Sequence, residues 1–245
     1  MSLLLYITGL AVLCAGIYYV RKSDEKLNAV TYLVFTAVLF MIVQAVEAGI
    51  ISRIPVIPIN ATVFGVLHIA EGAALWYVIL VKKRRQAYYF EAADVCALAV
   101  LAFFVVVAAV RQFGVQLDNF NFEADSDAAR HLMYARNVSV HGQLISMYFS
   151  AVNSGLIMNA FKGIVNEILM YKIFILFEIM VLYLNGAMFW TLIRRYLNTK
   201  FSIAVGILVA AAYMLGYPWN SMVFGSSYLS TGIMCVAMII FLLDM

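Results

Sequence analysis

The chain has 245 residues, of which 65% are hydrophobic and 12% charged, with a formal net charge of +3 and a mean hydropathy of +0.96. This composition lies well outside the range of soluble globular domains, so we predict an integral membrane protein. The net charge is small and no basic stripe alternates with aromatic residues, which argues against a nucleic-acid-binding protein.

Long apolar runs predict membrane-spanning α-helices. A helix needs about 20 residues to cross about 30 Å of hydrocarbon, and lipid offers the backbone no other hydrogen-bond partners. We therefore predict an all-α, polytopic transmembrane helix bundle that forms one membrane domain over residues 1–245. Its seven predicted spans are, in chain order, Ser2–Val20, Asn28–Ile50, Ala61–Val81, Ala92–Val110, Ile168–Ile193, Phe201–Tyr217 and Met222–Leu243.

Three clusters of Lys and Arg predict the orientation of these spans. The clusters lie at Arg21–Lys26, Lys82–Arg85 and Arg194–Lys200, and short loops rich in Lys and Arg stay in the cytoplasm. All three clusters lie on the same side of the membrane only if the polar segment Leu144–Phe161 does not cross it. We therefore predict an external N-terminus, a cytoplasmic C-terminus and one external loop over residues 111–167, in a bacterial or archaeal plasma membrane. Leu144–Phe161 is expected to lie in the interface or to dip back into the membrane.

Ionisable side chains concentrate between Asp118 and His141, inside the predicted external loop. A helix with Ser126 as its N-cap, turning about 100° per residue, gathers six polar residues within an arc of roughly 120°. These residues are Asp127, Arg130, His131, Tyr134, Asn137 and His141. The pattern is typical of an amphipathic interfacial helix, whose polar face is either simply solvated or forms a site.

An Asp four residues before a His, in an external loop with an amphipathic helix and a following span, resembles the acidic-loop motif of the GT-C superfamily of integral membrane glycosyltransferases. The matching segment is Asp125–Asn137, followed by Gly142, and the resemblance covers residues 92–243. It implies sugar transfer from a polyprenyl-phosphate donor on the outer membrane face, in cell-envelope glycan assembly. The family has fewer spans before this loop and more after it, so we expect a truncated or split member, with a membrane protein partner if the chain is incomplete.

The resemblance also implies roles for single residues. Asp127 would be the catalytic base that deprotonates the acceptor, with Asp125 as second choice and His131 beside them. The same three residues could hold a divalent metal, Mg²⁺ or Mn²⁺. Arg130 or Arg136 would neutralise the leaving phosphate, because the planar guanidinium matches phosphate oxygens. The other predicted substrate-binding residues are Tyr134, Asn137, His141, Tyr217 and Trp219. The last two lie in an outer turn, where they either anchor it at the interface or stack on a sugar ring.

Ionisable residues inside the predicted spans support a second interpretation. His68 and Glu71 are three residues apart and share a face of the third span, and Glu47 lies near the outer end of the second. Such groups are costly in a bilayer and normally turn inward to find partners. They are either a proton path, which favours a transporter or carrier, or a neutral or paired cluster that ties two helices together. Glu178 in the fifth span poses the same question. A third interpretation is a structural subunit of a membrane complex.

Overall fold

The computed structural model describes residues 1–118, 127–145, 149–196, 200–215 and 227–243. These residues form nine α-helices and two strands of two residues each, which confirms the predicted all-α class. In chain order the elements are α1 (Ser2–Tyr19), β1 (Leu27–Asn28), α2 (Ala29–Ile51), α3 (Ala61–Val81), β2 (Tyr88–Tyr89), α4 (Ala92–Phe113), α5 (Asp127–His141), α6 (Phe149–Ala160), α7 (Glu167–Tyr196), α8 (Lys200–Leu215) and α9 (Ser227–Leu243).

Five of the described helices are long and apolar enough to cross a membrane, namely α1, α2, α3, α4 and α7. The shortest has 18 residues and therefore extends about 27 Å at 1.5 Å per residue. These five helices coincide with the first five predicted spans and fit a multi-pass integral membrane protein. The described parts of α8 and α9, with 16 and 17 residues, overlap the sixth and seventh predicted spans.

The described chain divides into two compact units. Unit 1 contains Met1–Phe90 and Leu132–Ile173, and unit 2 contains Glu91–His131 and Phe174–Met245. Of the three boundaries, one falls between β2 and α4, and the other two fall inside α5 and α7. Each unit has its own cluster of buried apolar side chains. The single membrane domain over the whole chain stays a prediction.

In unit 1, α1 and α3 pack closely through glycines and run in the same direction. A Cβ atom added to Gly9 of α1 would lie 2.5 Å from the carbonyl oxygen of Gly65 on α3. Seven residues further along both helices, Gly16 and Gly72 form a second close contact of the same kind. A Cβ atom at Gly72 would lie 2.6 Å from Val12 Cγ1. Small residues let helix backbones approach closely without a side chain between them. Equal spacing on the two helices requires them to be parallel, so α2 runs back between their ends.

The α1–α2 and α3–α4 connections meet at one end of unit 1. The strands β1 and β2 pair in parallel there, with Leu27 opposite Tyr88. The buried side chain of Gln86 accepts hydrogen bonds from the backbone N–H groups of Lys22 and Ser23. The ring of Tyr88 stacks on Tyr18, and burial raises the pKa of the Tyr88 phenol. The first two basic clusters therefore lie at the same end, as a common cytoplasmic side would require.

The α2–α3 connection lies at the other end of unit 1, together with the ends of α5 and α6. The backbone N–H of Ile59 donates to the carbonyl of Gly142 over 3.1 Å. The side chain of Asn159 accepts from the N–H of Ala61 at 2.8 Å and donates to the carbonyl of Ser139 at 2.7 Å. These bonds tie the beginning of α3 to α6 and to the end of α5.

Helix α6 lies within the polar segment Leu144–Phe161, which the charge pattern predicts not to cross the membrane. Its described part has 12 residues and extends about 18 Å, which is too short to cross a bilayer. Nine of its residues are buried, and the Asn153 amide donates to the carbonyl of Met41 near the middle of α2. Helix α6 therefore lies in the interior of unit 1, against the central part of a span-length helix.

In unit 2, α4, α7 and α8 share an apolar core. Leu101 and Phe113 of α4 pack in one cluster with Leu182 and Trp190 of α7. The Trp190 ring also lies so close to Gly206 of α8 that a Cβ atom there would be 2.9 Å from Trp190 Cδ1. The Trp190 ring therefore fills the space beside Gly206 and leaves little room for a side chain at position 206. At one end of this core, Arg194 pairs with Glu91 at 2.5 Å and with the buried Asp94 at 3.4 Å.

Candidate functional site

The residues predicted as a glycosyltransferase site lie only partly within the described structure. Asp125, Tyr217 and Trp219 fall outside the described residues, and the side chain of Asp127 does too. The catalytic and metal-binding roles predicted for Asp125, Asp127 and His131 therefore stay predictions. A helix does form over Asp127–His141, at the position where the sequence predicts an amphipathic helix.

The described part of α5 corrects the expectation of one exposed polar face. Arg130 and His141 are exposed, but His131 is 4% exposed and belongs to the buried side of the helix. At about 100° per residue, His131 projects only roughly 20 to 40° from Ala135 and Val138, which are fully buried. Helical periodicity placed His131 at one edge of the polar arc, and the structure buries this edge.

Arg136 borders a crevice of about 210 Å³ between α5, α6 and the beginning of α7. Its guanidinium lies 3.3 Å from the Glu167 carboxylate, and both side chains are more than half exposed, so this ion pair adds little stability. Across the crevice, Lys162 donates to the carbonyl of Val140 at 3.1 Å. Asn137 donates to the Met133 carbonyl of its own helix. The remaining wall is largely apolar and includes Leu132, Met158, Val165 and Met170.

The structure brings Glu47, His68 and Glu71 together in the interior of unit 1. One ligand atom from each of the three side chains lies within 4.8 Å of the other two. His68 Nε2 is 3.0 Å from Glu47 Oε2. The sequence places His68 and Glu71 on one face of α3, and helix packing adds Glu47 from α2 to this face.

Local structure explains why α2 contributes the third residue. The short connection between α2 and α3 reverses the chain, so the last turns of α2 lie beside the first turns of α3. The side chain of Asn60 accepts a hydrogen bond from the N–H of Val63, which defines the beginning of α3. Glu47 lies one turn before the end of α2 and His68 two turns after the beginning of α3. Their side chains therefore meet across the helix pair.

Aromatic rings enclose the imidazole of His68, which is fully buried. The ring centroids of Phe40, Phe64 and Tyr6 lie 5.1, 5.6 and 6.5 Å from that of His68. Phe40 and Phe64 meet the imidazole edge-on, an arrangement that aromatic pairs favour. These contacts hold the imidazole in place, with Nε2 directed toward the carboxylate of Glu47.

Several polar atoms of the cluster lack a hydrogen-bond partner among the described residues. They are Glu47 Oε1, His68 Nδ1 and Glu71 Oε2. Buried polar atoms are nearly always paired, so each exception requires an explanation. In addition, two ionised carboxylates no more than 4.8 Å apart would repel each other by at least about 3.5 kcal/mol in an effective dielectric of about 20. A bound positive charge, either a proton or a metal cation, removes both difficulties.

A chain of buried hydrogen bonds lies next to this cluster. The Tyr6 hydroxyl donates to Gln44 Oε1 at 2.8 Å, and Gln44 Nε2 donates to Asn153 Oδ1 at 2.7 Å. The chain connects α1, α2 and α6, and Tyr6 also borders His68. None of these three residues is identified as functional by the sequence patterns described above. The spacing of Gln44, three positions before Glu47 inside a predicted span, was the signal that could have identified it.

Glu178 lies in α7, in the part of this helix that belongs to unit 2. Its side chain is 2% exposed, and neither carboxylate oxygen has a hydrogen-bond partner among the described residues. Asn185, seven positions further along the same face of α7, donates to the Val181 carbonyl, while its Oδ1 also has no described partner. Glu178 is thus a buried single carboxyl group and not part of a described cluster of ionisable residues.

Comparisons of the chain with protein-family models, with curated proteins and with solved structures found no significant match. The GT-C resemblance therefore stays a prediction.

Proposed function

We propose that the protein is a multi-pass membrane carrier in which Glu47, His68 and Glu71 bind the coupling cation, with the proton as the simplest case. The observation that supports this proposal is the close approach of three ionisable side chains inside span-length helices. Ionisable groups at such positions are rare, face the protein interior and mark ion and proton pathways. An imidazole beside two carboxyl groups can both accept and donate a proton.

The proposal includes seven spans with an external N-terminus and a cytoplasmic C-terminus. The parallel packing of α1 and α3 supports three successive crossings at the beginning of the chain. The meeting of the first two basic loops at one end of unit 1 supports a common cytoplasmic side. The shortness of α6 supports an external region, residues 111–167, that re-enters unit 1 without crossing the membrane.

Helix α6 is the element on which a transported solute would act. Transporter sites often lie near the bilayer midplane and include short or broken helices with polar side chains. Helix α6 is short and buries Ser150, Asn153 and Ser154. Asn153 joins α6 to Gln44, and Gln44 joins it to Tyr6 beside His68. A small polar solute that displaced Asn153 from Gln44 would therefore change the surroundings of the cation-binding residues.

Infrared difference spectroscopy of the reconstituted protein tests this proposal without knowledge of the solute. We expect the spectrum of acidified minus alkaline samples to contain a carboxyl C=O band that disappears in Glu71→Gln and in Glu47→Gln. The matched control is Glu178→Gln, which removes a buried carboxyl group from unit 2 and should leave this band unchanged. If the band persists in both cluster variants, these residues do not exchange a proton and the proposal is wrong.

The crevice beside Arg136 favours a GT-C-like glycosyltransferase as a second candidate function. Two cationic side chains, Arg136 and Lys162, lie at its edge, while its wall is largely apolar. Such a surface suits a lipid phosphate, whose headgroup is anionic and whose chain is apolar. The crevice lies at the end of unit 1 opposite the two basic loops. The charge pattern predicts that this end is on the outer side of the membrane.

Substitutions separate the two candidate functions. Under the glycosyltransferase proposal, Asp127→Asn should abolish sugar transfer from a polyprenyl-phosphate donor, while Glu71→Gln should leave the transfer intact. Under the carrier proposal, Glu71→Gln should abolish proton-linked solute uptake into liposomes, and Asp127→Asn should not. Unchanged activity in both variants would favour a structural subunit of a membrane complex.

A further inference from the structure

We propose that Glu47, His68 and Glu71 form a binding site for a divalent first-row transition-metal ion. This inference rests on the proposed function and names the chemical class of the cation that the carrier binds. The site lies wholly within unit 1 and is separate from the Asp125, Asp127 and His131 set predicted from the sequence.

The distances between the side chains suit a metal of this size. Nitrogen and oxygen ligands lie about 2.0–2.1 Å from Zn²⁺, so two ligands at a tetrahedral angle are roughly 3.3 Å apart. His68 Nε2 and Glu47 Oε2 are 3.0 Å apart, and none of the three ligand atoms is more than 4.8 Å from another. Small rotations of the Glu71 side chain would complete the triangle.

The donor set favours a transition metal over Mg²⁺ or Ca²⁺. Mg²⁺ and Ca²⁺ take oxygen ligands, whereas imidazole suits Zn²⁺, Fe²⁺, Co²⁺ and Ni²⁺. The aromatic contacts of Phe40 and Phe64 leave the His68 imidazole little freedom to turn away from Glu47. Among the described residues, this cluster offers one imidazole nitrogen and two carboxylates as ligands.

The charge of the site also fits a divalent ion. Two carboxylates and a neutral imidazole carry two negative charges, so a divalent ion makes the site neutral within a bundle of apolar helices. Any carboxyl group that holds a proton before the metal binds releases that proton to solvent. The unpaired oxygens of Glu47 and Glu71 are the atoms that such an ion would contact or polarise.

Three protein ligands leave at least one coordination position open. Structural zinc sites usually have four protein ligands, whereas sites with an open position bind water or an exchanging ligand. Glu47 and Glu71 keep partial exposure, while His68 is fully buried. The metal would therefore enter and leave from the carboxylate side, as a reversible carrier requires.

The test uses the full chain, purified in detergent and freed of metal with a chelator. Zn²⁺ binding is measured by titration calorimetry, and Co²⁺ binding by its visible absorption, which is intense for a four-coordinate site and weak for an octahedral one. The variants are Glu47→Gln, His68→Asn and Glu71→Gln, and the matched control is Glu178→Gln. Size-exclusion chromatography and far-ultraviolet circular dichroism verify that each variant is folded.

We expect one Zn²⁺ ion per wild-type chain, an intense Co²⁺ spectrum, and no displacement by excess Mg²⁺. Loss of an outer-shell partner costs metal sites about 10–100-fold in affinity, so loss of a direct ligand should cost more than about 100-fold. Glu178→Gln should retain the wild-type affinity. Absence of binding, displacement by Mg²⁺, or unchanged affinity in folded cluster variants would overturn the metal site.

The outcomes for the metal site and for the proposed function are distinguishable. If the carboxyl bands depend on Glu47 and Glu71 but no metal binds, the proton-linked carrier stands and the metal site is wrong. If Zn²⁺ binds through the three residues but the infrared carboxyl band persists in both Glu47→Gln and Glu71→Gln, the metal site stands and the proposed function is wrong.

Discussion

His68 Nε2 lies 3.0 Å from Glu47 Oε2, although 21 positions separate the two residues in the chain. This contact joins two antiparallel helices and brings Glu71 into the same group, because Glu71 follows His68 by nearly one helical turn. With both carboxyl groups ionised, the cluster would carry an excess of negative charge in an apolar setting. The proposed metal ion would neutralise this charge, and the first prediction tests its effect on stability.

Removal of divalent metal should destabilise the wild-type protein but not Glu71→Gln. A ligand that binds only the folded state stabilises it by about 2.7 kcal/mol at a concentration 100 times its dissociation constant. We therefore expect a chelator to lower the thermal unfolding temperature of the wild type by several degrees. Glu71→Gln lacks one ligand and one of the two negative charges, so its unfolding temperature should not respond to chelator. An equal response in both proteins would contradict this prediction.

The close approach of α1 and α3 predicts that any larger residue at Gly65 destabilises the protein. A Cβ atom at position 65 would lie 2.8 Å from the carbonyl carbon and oxygen of Leu5, both of which are backbone atoms. Gly65→Ala should therefore force the two helices apart and destabilise the protein by about 1–3 kcal/mol, measured by denaturation in detergent. The matched control is Gly232→Ala on α9, where no atom lies within 4 Å of the added Cβ. Similar stability losses in the two variants would argue against the tight helix contact.

The position of α6 depends on Asn153, and Asn153→Ala tests this dependence. The substitution removes bonds to Gln44 and Met41 and leaves the buried Gln44 amide without one partner. We expect a loss of roughly 1–3 kcal/mol in unfolding free energy, because the hydrogen bond to Asn153 no longer compensates for the burial of the Gln44 amide. Asn137→Ala is the control, since among the described residues the Asn137 side chain bonds to Met133 of its own helix, on a side that is partly exposed. Equal stability of the two variants would show that α6 is held by other contacts.

The orientation of unit 1 is testable by labelling of single cysteines. After replacement of Cys14, Cys96 and Cys235, we introduce His141→Cys at one end and Lys83→Cys at the other. Both positions are exposed. A maleimide that cannot cross membranes should label the first variant in intact cells and the second only after permeabilisation. The reverse result would place the basic loops outside and invalidate the proposed topology.

The sequence by itself determined the class of the protein and the positions of its long helices. Bilayer thickness sets the length of an apolar helix, so the runs that became α1, α2, α3, α4 and α7 could be recognised without any tertiary information. Helical periodicity likewise placed His68 and Glu71 on one face. Both properties are local, since they depend only on residues within a few turns of each other.

Only the tertiary structure decided which side chains meet. Glu47 joins His68, and Gln44 joins Asn153, across helices that are distant in sequence, and no local pattern encodes which faces pack together. Helix α6 illustrates the same limit, because the sequence left open whether its segment lies in the interface or dips back into the membrane, and packing against α2 buries it in unit 1. His131 is polar in sequence but lies on the buried side of α5. In each case the burial of neighbouring apolar side chains determined the position of the polar one.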